Sequence, residues 1–202
     1  MSNNVLKVGI TGNMGSGKSI VSSIFRILNV PVYDADTRAK WVMSHDKILL
    51  EQIVSEFGED SYLTDGQLNR QFLAAKVFND QDRLEKLNSI VHPRVGIDFE
   101  NWIRNNSESA YIIKEAALLF ESGSAKQLDK IIVVTAPEPV RLKRVQKRDP
   151  QRSVQQIKDI FNMQMDEGDK AKLADYIIKN DESELVVDQV LDLHNNFSQT
   201  DN

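Results

Sequence analysis

The chain contains no cysteine, which excludes a disulfide framework and any thiolate metal site. Histidine is scarce: His45, His92 and His194 are scattered and match no zinc-ligand spacing. No apolar run comes near the length of about 18 residues that a membrane-crossing helix needs. The N-terminus, MSNNVLKVGI, lacks the charged start and long apolar stretch of a secretory leader. Positive charge is in deficit, since 25 Lys and Arg face 30 Asp and Glu for a net charge of −5. That balance argues against a general binder of nucleic acid or anionic membrane, while a local basic patch facing a small anion stays open. Together these absences point to a cytoplasmic protein with no nucleic-acid and no membrane partner.

What is present is enough for a substantial core. Of 202 residues, 41% are hydrophobic, which suits one medium domain carrying an insertion or appendage. There is no internal repeat. Short apolar strands are expected over 5–11, 30–33, 111–113, 130–135 and 176–179. Helices are expected over 20–28, 48–57, 68–78, 140–148, 154–165 and 185–193, with a frayed polar tail to Asn202. Strands alternating with helices predict a parallel sheet covered on both faces. The stretch 37–107 is too long for one crossover and reads as a helical insertion able to hold a substrate. Within it Pro93 either opens a helix or kinks one.

The most informative stretch is GITGNMGSGKS. Gly12, Asn13, Met14, Gly15, Ser16, Gly17, Lys18 and Ser19 satisfy G-x-x-x-x-G-K-[ST], the phosphate-binding P-loop, with a strand before it and a helix after it. A loop that wraps a polyphosphate must turn successive backbone N–H groups inward, which favours glycine. The helix beginning at Lys18 adds its positive end. Lys18 brings a full charge to the β- and γ-phosphates of ATP. The Ser19 hydroxyl suits Mg²⁺, a cation that prefers hard oxygen ligands.

Other candidates sit where strands end. Asp34 and Asp36 follow the second strand, where open α/β sheets bind ligands. Asp36 fits two roles, a base for a hydroxyl attacking the γ-phosphate or an N-cap of the next helix. Glu115 ends the third strand and fits either a metal-bound water or a plain polar terminus. Arg141, Arg144 and Arg148 share one helix face, which reads as a solvated basic face or as a phosphate-facing one. Trp41 and Trp102 read as core or domain-interface residues, and Ile157, Ile160, Phe161 and Met165 as helix packing. A GTP-dependent switch would need N-K-x-D, and the nearest string, KNDE at 179–182, lacks that order.

Taken as a series, GITGNMGSGKS, VPVYDAD, DGQLNRQFLAAKVF, LNSIVHPRV, ALLFESG, VVTAPEPVRLKRVQKRD and ADYIIKND resemble the dephospho-CoA kinase family in order and spacing. The resemblance implies a P-loop NTPase-type three-layer α/β/α fold with a five-stranded parallel sheet. Residues 1–36, 108–140 and 173–202 would form the nucleotide-binding core, 37–107 the helical acceptor insertion and 141–172 a helical lid. It implies transfer of the γ-phosphoryl group of ATP, with Mg²⁺, to the ribose 3′-hydroxyl of dephospho-CoA, the last step of coenzyme A synthesis. Asp36 matches the family's proposed base. Arg148 matches a lid arginine near the ATP phosphates, with Arg152 a second lid candidate. Arg70, His92, Pro93, Leu118 and Glu121 match the acceptor side. The chain departs from the family at Ala117, where proline is usual, at Asn69 and Asn29, and at Asn13 and Met14. Another small-molecule or nucleotide kinase of the P-loop class is the alternative.

Overall fold

The computed structural model describes residues 5–78 and 80–199. The chain divides into two compact units. One carries the residues up to Asp34 and from Asn106 onward; the other is Ala35–Asn105.

The first unit is built on five parallel strands, β1 (Leu6–Thr11), β2 (Val32–Asp34), β3 (Tyr111–Glu115), β4 (Lys130–Thr135) and β5 (Tyr176–Lys179), in the order β2-β3-β1-β4-β5. β3 reads YIIKE and is buried at every residue, as expected of a strand covered on both faces. Alternate residues of the sheet serve opposite layers. Val8, Ile10, Ile113, Ile132, Val134 and Ile178 face one layer, where they meet Val21 and Phe25 of α1 (Lys18–Ile27). Gly9 faces the other layer, where an added Cβ would stand 2.7 Å from Leu128 and 2.8 Å from Leu119. Asn29, at the turn before β2, adopts φ 60°, a left-handed conformation that asparagine tolerates.

The second unit is helical: α2 (Ala35–His45), α3 (Lys47–Phe57), α4 (Arg70–Val77) and α5 (Gln81–Arg104). Its core gathers Val42, Leu49, Ile53, Phe57, Leu73 and Val91. Two arginines of the unit are clamped by carboxylates. Asp46 caps α3 by accepting the Leu49 N–H at 2.9 Å and also accepts Arg94 Nε at 2.9 Å. Asp98 receives Arg38, with Nε at 2.9 Å. Burial alone would push the Asp46 carboxyl up, but the Arg94 and backbone hydrogen bonds outweigh it and hold it below the usual range. Pro93 lies inside α5; the helix opens at Gln81, where Asp80 caps the Arg83 N–H at 3.0 Å.

The remaining helices are α6 (Glu138–Arg148), α7 (Val154–Asn162), α8 (Glu167–Lys172) and α9 (Val186–Ser198), all in the first unit. Three differences from the sequence reading have physical causes. The helix expected over 154–165 ends at Asn162, and α8 follows because Asp166 accepts the Gly168 N–H at 2.8 Å and the Asp169 N–H at 3.2 Å. The last helix runs past 193 to Ser198, held by Phe197 against Tyr111 and Tyr176, each at 5.3 Å between ring centroids. Residues 200–202 of the expected frayed tail, and residues 1–4 of the N-terminal stretch, lie outside the described residues. Trp41 is no core residue: it is 45% exposed on α2, with Arg38 at 4.3 Å over its ring and His45 stacked at 4.5 Å. Trp102 stacks on the buried Phe99 at 6.3 Å.

Phe25 is fully buried where α1 meets the sheet. Phe25→Ala is expected to cost about 3–5 kcal/mol, read as a lower denaturant midpoint; a loss below about 1 kcal/mol would contradict this packing.

Candidate active site

The loop from Gly12 to Ser19 joins the end of β1 to the start of α1, so α1 points its N-terminus into the turn. Glycine is required here by space as well as by torsion. Gly15 has φ 85° and Gly17 φ 99°, both left-handed. A Cβ at Gly15 would stand 2.7 Å from the Arg141 carbonyl oxygen, and one at Gly17 would stand 2.1 Å from Asn180 Nδ2. The backbone of α6 and the residue after β5 therefore lie directly against the loop. Lys18 Nζ donates to the Gly12 carbonyl at 2.7 Å, folding its ammonium back over the turn.

Ser19 Oγ donates to Glu115 Oε1 at 3.3 Å. Glu115 is buried at the end of β3, with Arg26 Nη2 at 4.0 Å from its other oxygen. In the sheet register Glu115 stands between Ile10 of β1 and Asp34 of β2. A hydroxyl and two carboxylates thus share the carboxyl edge of adjacent strands, a hard-oxygen set suited to Mg²⁺. Among the described residues no group of three or more His, Cys, Asp or Glu could hold a metal ion. Asp36 stands in the first turn of α2, in the second unit.

The three arginines of α6 have separate environments along their helix face. Arg141 is buried: its Nε donates to the Ala136 carbonyl at 3.0 Å, its guanidinium lies 4.5 Å over the Phe161 ring, and Glu167 is 3.7 Å away. Burial pushes the Glu167 carboxyl up despite that neighbour. Arg144 donates from Nη2 to Asn180 Oδ1 at 3.3 Å, and Asn180 Nδ2 in turn donates to the Ser16 carbonyl at 2.7 Å. Arg148 is 60% exposed and forks onto Asp149, with contacts of 2.9 and 3.1 Å. Arg152 Nε lies 3.6 Å from the same carboxylate. Hydrogen bonding to Arg148 is the main reason the Asp149 carboxyl lies below its usual range.

Beyond the loop, Ala117 stands where the sequence departs from the usual proline, yet its carbonyl accepts the Thr11 hydroxyl at 3.3 Å and faces Lys170 Nζ at 3.5 Å. Leu118 is exposed. Glu121 is ion-paired at 2.8 Å to Lys170, which has no solvent exposure at all. Burial alone would push the Glu121 carboxyl up, but Lys170 together with backbone hydrogen bonds outweighs it and holds it below the usual range. In the second unit Arg70 opens α4 and is exposed, and Asn69 caps that helix by accepting the Phe72 N–H at 3.1 Å. His92 and Pro93 are exposed on α5.

A family model described as dephospho-CoA kinase matches residues 6–185. The chain belongs to the dephospho-CoA kinase family. It is 37% identical over 187 residues to the dephospho-CoA kinase of Porphyromonas gingivalis, covering 93% of this chain and 92% of that one. With the Listeria monocytogenes dephospho-CoA kinase it shares 38% over 180 residues, 87% of this chain and 88% of the other. Among solved structures, a dephospho-CoA kinase from Campylobacter jejuni superposes with a TM-score of 0.71 at 27% identity, covering 95% and 96% of the two chains. A protein from Thermus thermophilus superposes with a TM-score of 0.83 at 30% identity, covering 96% and 98%. Membership makes the chain an ATP-dependent P-loop kinase of coenzyme A synthesis, acting on dephospho-CoA, and the broader alternative of another small-molecule kinase is not favoured. Among the described residues no helix is long and apolar enough to cross a membrane.

Sequence reasoning passed over Lys170, Asn180 and Gln164. Asn180 had a usable signal, since it follows β5 at the carboxyl edge of the sheet. Lys170 had none, because EGDKAK reads as a solvated charged run. Removing Lys170 leaves Glu121 without its cation. Glu121 has a lowered folded pKa, so its pairing stabilises above the ordinary glutamate value and is lost as pH falls through the folded one. Lys170→Met is expected to cost about 2 kcal/mol near pH 7, discounted for the partial exposure of Glu121, with the gap to wild type closing below the ordinary value of 4.5. Denaturation at several pH values checks this; a pH-independent gap would contradict it.

Proposed function

We propose that the 12–19 loop grips the triphosphate of ATP and that Asp36 prepares the ribose 3′-hydroxyl of dephospho-CoA to receive the γ-phosphoryl group. The observation that carries this reading is the loop itself: left-handed glycines with no room for a Cβ, a following helix N-terminus, Lys18 folded over the turn and Ser19 hydrogen-bonded to a buried carboxylate.

Phosphoryl transfer asks for positioning and charge stabilisation more than for covalent chemistry. Lys18 and the amides of Gly15, Ser16, Gly17, Lys18 and Ser19 hold the β- and γ-phosphates. Gly12, Asn13 and Met14 shape the start of the loop. Ser19, with Glu115 behind it, would hold Mg²⁺, which supplies neutralisation of phosphate charge when bound. Asp36 accepts the proton of the attacking hydroxyl. Arg70, His92 and Pro93 in the second unit, and Leu118 and Glu121 in the first, serve the acceptor side. Residues 141–172 form the lid, anchored at the buried Arg141 and at the 164–165 segment, and its exposed turn at Arg148–Arg152 closes over the nucleotide. Arg148 swings from Asp149 to the transferring group, Arg152 assists, and closure keeps water from competing with the acceptor. ATP and the acceptor are the small-molecule partners, and we place the reaction in the cytoplasm.

Asp36→Asn is expected to lower kcat by about 10²–10⁴-fold while the calorimetric affinity for ATP stays near wild type; retention of kcat would remove Asp36 from the mechanism. Arg148→Ala is expected to lower kcat by about 10²-fold with little change in the KM for dephospho-CoA. An unaltered steady-state rate would leave Arg148 as a surface partner of Asp149 and nothing more.

A further inference from the structure

Gln164 has no part in the scheme above. It lies between α7 and α8, in a stretch that sequence alone reads as the end of a helix, yet its side chain reaches the phosphate loop. Its Oε1 accepts the Met14 N–H at 2.8 Å. The neighbouring Met165 carbonyl accepts Asn13 Nδ2 at 3.1 Å. Asn13 and Met14 are two of the positions that the loop motif leaves free, and one short segment holds both from outside.

That segment is fixed in its own right. The Gln164 N–H donates to the Phe161 carbonyl at 3.2 Å, and the Met165 N–H to Glu121 Oε1 at 3.3 Å. Glu121 is anchored by the buried Lys170, and Asp166 caps α8 directly afterwards. Gln164 therefore projects from a braced platform rather than a loose loop, which is what a group needs if it is to set the geometry of another.

We propose that Gln164 is a positioning residue for phosphate binding: its side-chain oxygen takes the Met14 N–H and fixes the orientation of the 13–14 peptide, from which the inward-facing amides of the loop follow. The proposal rests on the role of the loop in gripping triphosphate. The left-handed glycines at 15 and 17 give the loop its shape and also leave its peptides free to swing. An amide with a fixed external partner has one orientation. Orientation settled during folding is not subtracted from binding each time a nucleotide arrives. The Asn13 side chain is held by the same segment, through the Met165 carbonyl. That bond comes at a cost, because Asn13 Oδ1 is buried without a hydrogen-bond partner among the described residues.

The test uses the full chain with Gln164→Met, which keeps the length of the side chain and removes the acceptor, and Gln164→Glu, which keeps an oxygen at the same reach. Hydrogen exchange at the Met14 amide in the nucleotide-free protein is the first readout, and steady-state kinetics the second. For Gln164→Met, exchange at Met14 is expected to quicken and the KM for ATP to rise by about 3- to 10-fold, the worth of one hydrogen bond. The KM for dephospho-CoA is expected to stay put, and the thermal midpoint to fall by no more than about 2–4 °C, the worth of the one lost bond. Gln164→Glu is expected to keep the slow exchange. Faster exchange with an unchanged KM for ATP would overturn the proposal, because the bond would then hold Met14 without serving the phosphates. A parallel rise in both KM values together with a fall of the thermal midpoint well beyond about 4 °C would overturn it as well, marking a general packing role. So would failure of both Gln164→Met and Gln164→Ala to fold. Wild-type turnover of ATP and dephospho-CoA in the same experiment shows whether the phosphate-loop reading itself stands, whatever Gln164 does.

Discussion

The loop between β1 and α1 is crowded by residues from distant parts of the chain, and that shortage of space fixes how it can fold. The Arg141 backbone lies where a side chain at Gly15 would be, and the Asn180 amide lies where one at Gly17 would be. Gln164 and Met165 take up the hydrogen-bonding groups of Met14 and Asn13. A chain this confined keeps its amides in a few directions only. That is the condition for stabilising the charge of a phosphoryl group without reorganising the site at each turnover.

The confinement depends on charges that are partly withdrawn from water. Arg141 and Lys170 are buried, and each lies near a partly exposed carboxylate, Glu167 and Glu121 respectively. Apolar residues would hold such a region together as well or better. What charged pairs add is direction: Lys170 holds Glu121, and Glu121 presents an oxygen to the Met165 N–H. The position of the 164–165 segment against the phosphate loop is thereby tied to α8 and to the end of β3.

Much of this was legible in the sequence, and the legible parts share a cause. β4 and β5 match their expected ranges because β-branched runs have few alternatives. The phosphate loop is legible because glycine spacing, a lysine and a hydroxyl are dictated by a ligand rather than by neighbours in the fold. The turn at Asn29 was legible for a similar local reason, since few side chains accept a left-handed backbone. The illegible parts are those decided by partners far away in the chain. Arg141 reads as surface charge until Phe161, Ala136 and Glu167 close around it. Lys170 is indistinguishable from its exposed neighbour Lys172 in sequence, yet one is fully buried and the other lies on the surface. The end of α7 was misplaced because the capping choice of Asp166 depends on where α8 must lie.

The account as a whole claims that this confined loop delivers the terminal phosphoryl group of ATP to one particular alcohol. The most direct measurement supplies ATP radiolabelled in its γ-phosphate together with dephospho-CoA, and in separate reactions with nucleoside monophosphates. The account predicts rapid transfer of label to dephospho-CoA, yielding coenzyme A, with none to the monophosphates and little to water. Label appearing on a monophosphate, or released only as inorganic phosphate while dephospho-CoA stays unlabelled, would contradict it.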